Sequence, residues 1–164
     1  MSVAPVQTEP LEVDTLFQAL PAHKPGVVKR HVFEALTGLD YYALDALWLG
    51  RSEVPGNLSA RGVMTNLSAL LGLRSKEVAA LLGVSESRIS RNDRVTLAIL
   101  DRTEAVSDTF AAAAAVLGFA HARDWLKAPN AALEGAAPYT LLGTHYGQKK
   151  VENLITALFN GAVV

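Results

Sequence analysis

The segment SKEVAALLGVSESRISR, residues 75–91, has the pattern of two short helices joined by a tight turn. Ser75 is a favourable N-cap, and Val78 and Leu82 lie four residues apart, so that one face of the first helix points inward. Gly83 stands where the chain must leave this helix through a left-handed conformation, which glycine adopts at little cost. The segment therefore predicts a helix-turn-helix.

The second helix of this pair carries a polar outer face. Ser85 is its predicted N-cap and Ile89 its predicted anchor in the core, which leaves the other positions exposed. A helix that reads the DNA major groove needs such a face, because arginine binds guanine edges and Asn or Ser donates to bases or phosphates. The residues predicted to contact DNA are Ser85, Ser87, Arg88, Ser90, Arg91, Asn92 and Arg94. The same pattern also fits an ordinary helical hairpin with a solvated face.

Two acids lower the positive charge of this face. Glu86 and Asp93 lie among the arginines. Since affinity for duplex DNA comes largely from neutralised phosphates, we expect a weak or dimer-dependent DNA interaction.

The composition is that of a helical globular protein. Half of the 164 residues are hydrophobic, the formal net charge is −1, and the sequence contains no cysteine. A nearly neutral chain is not a general nucleic-acid coat protein, so any DNA contact must be a local patch. Without cysteine there are no disulfides, thiolate nucleophiles or cysteine-based zinc sites, and the sequence shows no leader or membrane segment. We expect a cytoplasmic protein without a metal or a cofactor.

Prolines and helical periodicity divide the chain into three predicted parts. Residues 1–30, with prolines at 5, 10, 21 and 25, are predicted to form a mobile N-terminal arm with one short helix. Residues 31–105 are predicted to form the helix-turn-helix domain. Residues 106–164 are predicted to form a second, small helical domain that ends in a helix over residues 148–160. The predicted fold class is all-α.

The last third of the chain carries a second and more specific pattern. Trp125-Leu126 is followed by Pro129-Asn130, Leu133, Gly135, Pro138, Leu141-Leu142, Thr144, Gly147, Val151 and Gly161. In type and spacing these residues resemble the C-terminal toxin-binding domain of the Xre, MbcA and ParS antitoxins. The helix-turn-helix before it is similar to the N-terminal domain of the same family, so that the resemblance covers about residues 50–164.

The resemblance implies an antitoxin of a type II toxin–antitoxin system. Its implied partner is a cognate RES-domain toxin, an enzyme that consumes NAD⁺ or transfers ADP-ribose from it, whose active site the C-terminal domain covers. The resemblance also implies a homodimer, formed through the Xre-like N-terminal domain, that binds operator DNA in its own promoter and regulates transcription.

By the same resemblance, the last helix and the tail become the toxin contact, with the tail as a plug for the toxin's pocket. The predicted toxin-binding residues are Trp125, Asn130, Lys149, Lys150, Asn153, Asn160, Gly161, Val163 and Val164. Other roles stay open for them. Trp125 also fits the core of its own domain, the two lysines a solvated helix face, and the tail a frayed terminus.

Two other functions remain open from the sequence. One is a stand-alone helix-turn-helix transcriptional regulator whose C-terminal domain only dimerises. The other is a small enzyme, for which His121 with Asp124, and His145 with Tyr146, are the candidate acid–base pairs. Neither pair is accompanied in the sequence by a nucleophile, a phosphate loop or metal-ligand spacing, so we expect no catalysis.

Overall fold

The computed structural model of the protein describes residues 11–162, which form α-helices and two short 3₁₀ helices without a β-strand. This confirms the all-α prediction. The helices are α1 (Val13–Ala19), α2 (Pro25–Thr37), α3 (Tyr41–Trp48), α4 (Ala60–Leu71), α5 (Ser75–Leu81), α6 (Glu86–Arg91), α7 (Leu97–Leu117), α8 (Phe119–Lys127) and α9 (His145–Phe159), with the 3₁₀ helices η1 (Ala131–Leu133) and η2 (Pro138–Leu141). In this part of the chain, no single helix is long and apolar enough to cross a membrane.

Helix α7 is the centre of the molecule. Helices α2, α8 and α9 pack against it, and its small buried side chains, such as Ala111 and Ala114, let these neighbours approach closely. The helix runs unbroken through the predicted domain boundary between residues 105 and 106. The buried side chains of the described residues form one hydrophobic cluster from Val28 to Ile155. The two predicted domains therefore share a core.

Residues 11–30 belong to this core. The Phe17 ring in α1 stacks on Phe119, with ring centroids 4.5 Å apart, and on Phe110 at 5.7 Å. Helix α2 already starts at Pro25 and buries Val28 completely. The predicted mobile arm therefore does not include residues 11–30, because aromatic contacts with α7 and α8 hold them in place. Residues 1–10 lie outside the described residues.

Helices α5 and α6 follow the predicted order of helix, turn and helix. Gly83 has the left-handed φ of 67° that the turn requires. The Ser85 hydroxyl accepts a hydrogen bond from the Arg88 backbone N–H at 3.2 Å, which confirms Ser85 as the N-cap of α6. The prediction of Ser75 as the N-cap of α5 is wrong. Arg74 is the N-cap, and its N–H donates to the Glu77 carboxylate at 2.7 Å.

The C-terminal region turns back over α7. At Gly118, with φ of 78°, the chain bends by 117° from α7 into α8. Helix α9 begins at His145, three residues before the predicted start, and Thr144 caps it by accepting from the Gly147 N–H at 3.1 Å. Gly147 lies inside the helix, where a Cβ would collide with the Leu141 carbonyl. It is therefore a packing residue and does not mark the start of α9.

Candidate partner-binding and nucleic-acid-binding surfaces

Helix α6 carries the predicted DNA-contacting residues on one exposed surface. Ile89 is only 5% exposed and fixes the helix to the core. The seven predicted residues are all exposed: Ser85, Ser87, Arg88, Ser90, Arg91, Asn92 and Arg94. Within residues 11–162 none of the three arginines forms an ion pair. Their charges are therefore available to an anionic partner.

Asp93 has a structural role that the sequence analysis did not identify. Its carboxylate accepts a hydrogen bond from the Ser59 hydroxyl at 2.8 Å and another from the Arg61 backbone N–H at 2.7 Å. It therefore caps the N-terminus of α4, where the helix dipole favours a negative charge. Because this charge is balanced within the protein, it opposes an anionic partner less than the sequence suggested. The same contacts fix the segment after α6 against α4.

Arg61 is a further cation beside this surface. Its side chain is exposed at the start of α4 and lines a hollow of about 340 Å³ between α4, α5 and α6. The same hollow is lined by the hydroxyl groups of Thr65, Ser75 and Ser90 and by the carboxylate of Glu86. Arg61 is not among the predicted DNA-contacting residues, because nothing local in the sequence shows that α4 and α6 lie side by side.

The outer face of α9 brings together four of the predicted toxin-binding residues. Lys149, Lys150, Asn153 and Asn160 are all exposed on it. The ring of Tyr146, 73% exposed, lies beneath Lys150, whose Nζ is 5.4 Å from the ring centroid. Gly161 follows, exposed and in the left-handed conformation, whereas Val163 and Val164 lie outside the described residues. Tyr146 and the similarly exposed Phe159 are not among the predicted toxin-binding residues.

Two other predicted toxin-binding residues do not lie on this face. Asn130 is 7% exposed, and its side-chain oxygen accepts from the Ala132 N–H at 2.9 Å. Asn130 shapes the turn into η1, and its contact with the toxin stays a prediction. Trp125 is half-buried against the core, and its buried indole N–H has no hydrogen-bond partner among the described residues. This favours the core position that the sequence left open.

The C-terminal segment is tied directly to α4 and α5. The Tyr139 hydroxyl donates to the Glu77 carboxylate at 3.2 Å, and the Arg123 guanidinium donates to the Ala69 carbonyl at 2.7 Å. Hydrogen bonds from Arg74, its positive charge and the Tyr139 hydroxyl lower the pKa of Glu77. Burial and the negative charge of Glu77 raise the pKa of Tyr139. The two candidate surfaces are therefore on one connected framework.

The two histidine pairs considered as acid–base groups lie on the surface of the described part of the chain. His121 and Asp124 are exposed on α8, and His145 and Tyr146 are exposed in the first turn of α9. In the described part of the chain, no three His, Asp or Glu side chains come together as a metal site.

The C-terminal region is similar to a known protein family. Residues 112–161 match the family described as the antitoxin Xre/MbcA/ParS C-terminal toxin-binding domain. The chain carries this toxin-binding domain. It comprises the end of α7, α8, both 3₁₀ helices and α9, and it includes the exposed face with Lys149 and Lys150. The match confirms the resemblance to the Xre/MbcA/ParS antitoxins and supports a type II antitoxin. Among curated proteins nothing matches the chain.

Proposed function

We propose that this chain is the antitoxin of a type II toxin–antitoxin system, which inhibits a RES-domain toxin and binds operator DNA as a homodimer. The toxin consumes NAD⁺ or transfers ADP-ribose from it, and the complex works in the cytoplasm. The observation that carries the proposal is the toxin-binding domain over residues 112–161, in the same chain as the exposed, basic helix α6. The antitoxin itself needs no catalytic group or cofactor, because inhibition by coverage has no chemical step.

Toxin inhibition is assigned to the outer face of α9 and the tail. Val151 and Ile155 are buried and hold α9 on the core, so that the tail leaves from a fixed point after Asn160. Lys149 and Lys150 offer charges to acidic groups of the toxin, and Asn153 offers an amide for hydrogen bonds. The tail, residues 161–164, then lies over the NAD⁺ pocket and competes with the nucleotide for space.

Operator binding is assigned to α6. Arg88 and Arg91 are three residues apart in its last turn and reach base edges, while Arg94 and Arg61 contact phosphates on either side. A helix of six residues makes few contacts, so two copies are needed on half-sites about 34–36 Å apart. This is the reason for proposing a homodimer, and it gives autoregulation of transcription when the operator lies in the antitoxin's own promoter.

The test combines co-purification with an NAD⁺ consumption assay. The chain is co-expressed with the RES-domain protein from the neighbouring gene, and NAD⁺ loss is followed with the full-length chain and with a chain ending at Asn160. We expect the full-length chain to suppress NAD⁺ loss and the shortened chain to bind but to inhibit less. An Arg88→Ala/Arg91→Ala chain is the control and should inhibit fully.

A longer truncation is unsuitable for this test. Removal of residues 148–164 would also remove Val151 and Ile155 from the core, so a failure to inhibit would only report unfolding. If the full-length chain forms no complex with the RES-domain protein, the antitoxin proposal fails and a stand-alone transcriptional regulator becomes the better assignment.

A further inference from the structure

An apolar groove lies beside the last turns of α9. It has a volume of about 410 Å³ and runs between the start of α2, α7 and α9. Its apolar lining includes Ala112, Ala115, Val116, Ile155 and Phe159, with Thr156 at the edge. His23 is its one titratable lining residue among the described side chains.

The groove lies where the core-facing side of α9 continues past Ile155 and where α7 contributes two alanines and a valine. Ile155 is buried against the core, and Phe159 lies one turn further on the same side of the helix. The lining from α7 consists of Ala112, Ala115 and Val116, which are too small to cover an aromatic ring. Phe159 is consequently 76% exposed. An aromatic side chain of this exposure beside an apolar groove is typical of an interaction site.

The groove is continuous with the face of α9 that carries the lysines. Lys149 lies two turns before Thr156 and therefore on the same side of the helix, and Asn160 follows one turn after it. Thr156 thus borders both the groove and the polar face. A partner that covers Lys149 and Asn160 also covers the groove.

From this geometry we infer that the groove is the apolar anchor site for the toxin, which inserts an uncharged aliphatic or aromatic side chain into it. This inference rests on the proposed antitoxin function. Three observations identify the toxin as the occupant. First, the lining residues on α7 and α9 lie within residues 112–161, the toxin-binding domain. Second, the groove is continuous with the exposed face of α9. Third, the lining is apolar and lysines lie beyond its rim. An apolar centre with a polar rim is the usual composition of a protein interface, where one or two buried anchors supply most of the affinity.

The test uses the full-length chain and the purified RES-domain protein from the neighbouring gene, with dissociation constants measured by titration calorimetry. The variants Phe159→Ser and Thr156→Glu change the groove at exposed positions. We expect each to raise the dissociation constant at least tenfold, and Phe159→Leu, which keeps an apolar side chain, to stay within about threefold of wild type. Tyr42→Ser is the matched control, because Tyr42 is an aromatic residue on α3 with 85% exposure.

The possible outcomes test the groove assignment and the proposed antitoxin function separately. If the wild-type chain binds the RES-domain protein and Phe159→Ser and Thr156→Glu bind equally well, the groove assignment is overturned and the antitoxin assignment stands. If the variants instead dissociate a dimer of the toxin-free chain in light scattering, the occupant is a second copy, which also overturns the assignment. If the wild-type chain does not bind, the proposed function fails first. Thermal unfolding of each variant shows whether the loss comes from the groove or from misfolding.

Discussion

Replacement of Arg88 and Arg91 by alanine should remove operator binding without unfolding the protein. Both side chains are exposed in the last turn of α6 and form no ion pair within residues 11–162. Their removal therefore leaves no buried group without a partner. The loss of two cations at a helix C-terminus costs about 1 kcal/mol or less in free energy of unfolding.

The expected loss of DNA-binding affinity follows from the number of arginine contacts in the homodimer. A bidentate arginine–guanine contact discriminates by about 1–3 kcal/mol, and a homodimer on two half-sites loses at least one such contact per half-site. The lower limit is thus about 2 kcal/mol in binding free energy, or roughly thirtyfold in the dissociation constant. If the four arginines of the dimer instead contact phosphates, the slope of log affinity against log salt decreases by about 3.6, at 0.9 per phosphate.

The measurement is fluorescence anisotropy with a duplex from the chain's own promoter, over a series of salt concentrations. The Lys149→Ala/Lys150→Ala chain is the control, because it also loses two exposed cations, but from α9. We expect this control to bind the operator like wild type and to bind the RES-domain toxin more weakly. An Arg88→Ala/Arg91→Ala chain with unchanged affinity and unchanged salt slope would refute the assignment of α6 as the recognition helix.

Three further changes test the structure itself. Ile89→Ala should lower the free energy of unfolding by about 2–4 kcal/mol, because the side chain is buried beneath α6, and chemical denaturation with no loss would contradict this packing. Phe17→Ala should cost about 2–3 kcal/mol through its ring contacts with Phe110 and Phe119, and a change below about 0.5 kcal/mol would mean that α1 is not held on the core. The pKa of Glu77 is lowered, so its contribution to stability is present above its ordinary pKa of 4.5 and is lost as the pH falls below that value. Glu77→Gln should therefore flatten the acid side of the stability profile, which thermal unfolding between about pH 3 and pH 6 measures.

The parts of the fold that the sequence predicts correctly depend on local chemistry. Gly83 marks the turn between α5 and α6 because its φ is positive, and Ser85 marks the start of α6 because its hydroxyl caps the helix. The exposed face of α6 and the burial of Ile89 follow from helical periodicity.

The errors concern contacts between distant segments. Residues 11–30 look like an arm by composition, but Phe17 finds its partners about a hundred residues later in the chain. The last helix is predicted to start at residue 148, but α9 includes Gly147, and the Leu141 backbone leaves no room for a Cβ at this position. The role of Asp93 at the start of α4 requires knowledge of how α4 and α6 pack.

At the candidate surfaces, too, local patterns predict some residues, whereas others depend on contacts between helices. The sequence supplies the exposed polar residues of α6 and α9, since helical periodicity alone separates them from the core. It does not supply Arg61 or the groove at Phe159, because each depends on a second helix, α4 for the hollow and α7 for the groove.

Hydrogen bonds between the C-terminal region and α4 and α5 limit which variants can separate the two proposed activities. Tyr139 and Arg123 from the toxin-binding domain hold α5 and α4, and the Arg102 guanidinium on α7 donates to the Leu142 carbonyl at 3.3 Å. Removal of a whole element of this domain would therefore disturb the support of α6 as well, and both activities would be lost together. Only exposed side chains that take no part in this support separate them, which is why the decisive variants change Arg88 with Arg91 on one surface and Phe159 on the other.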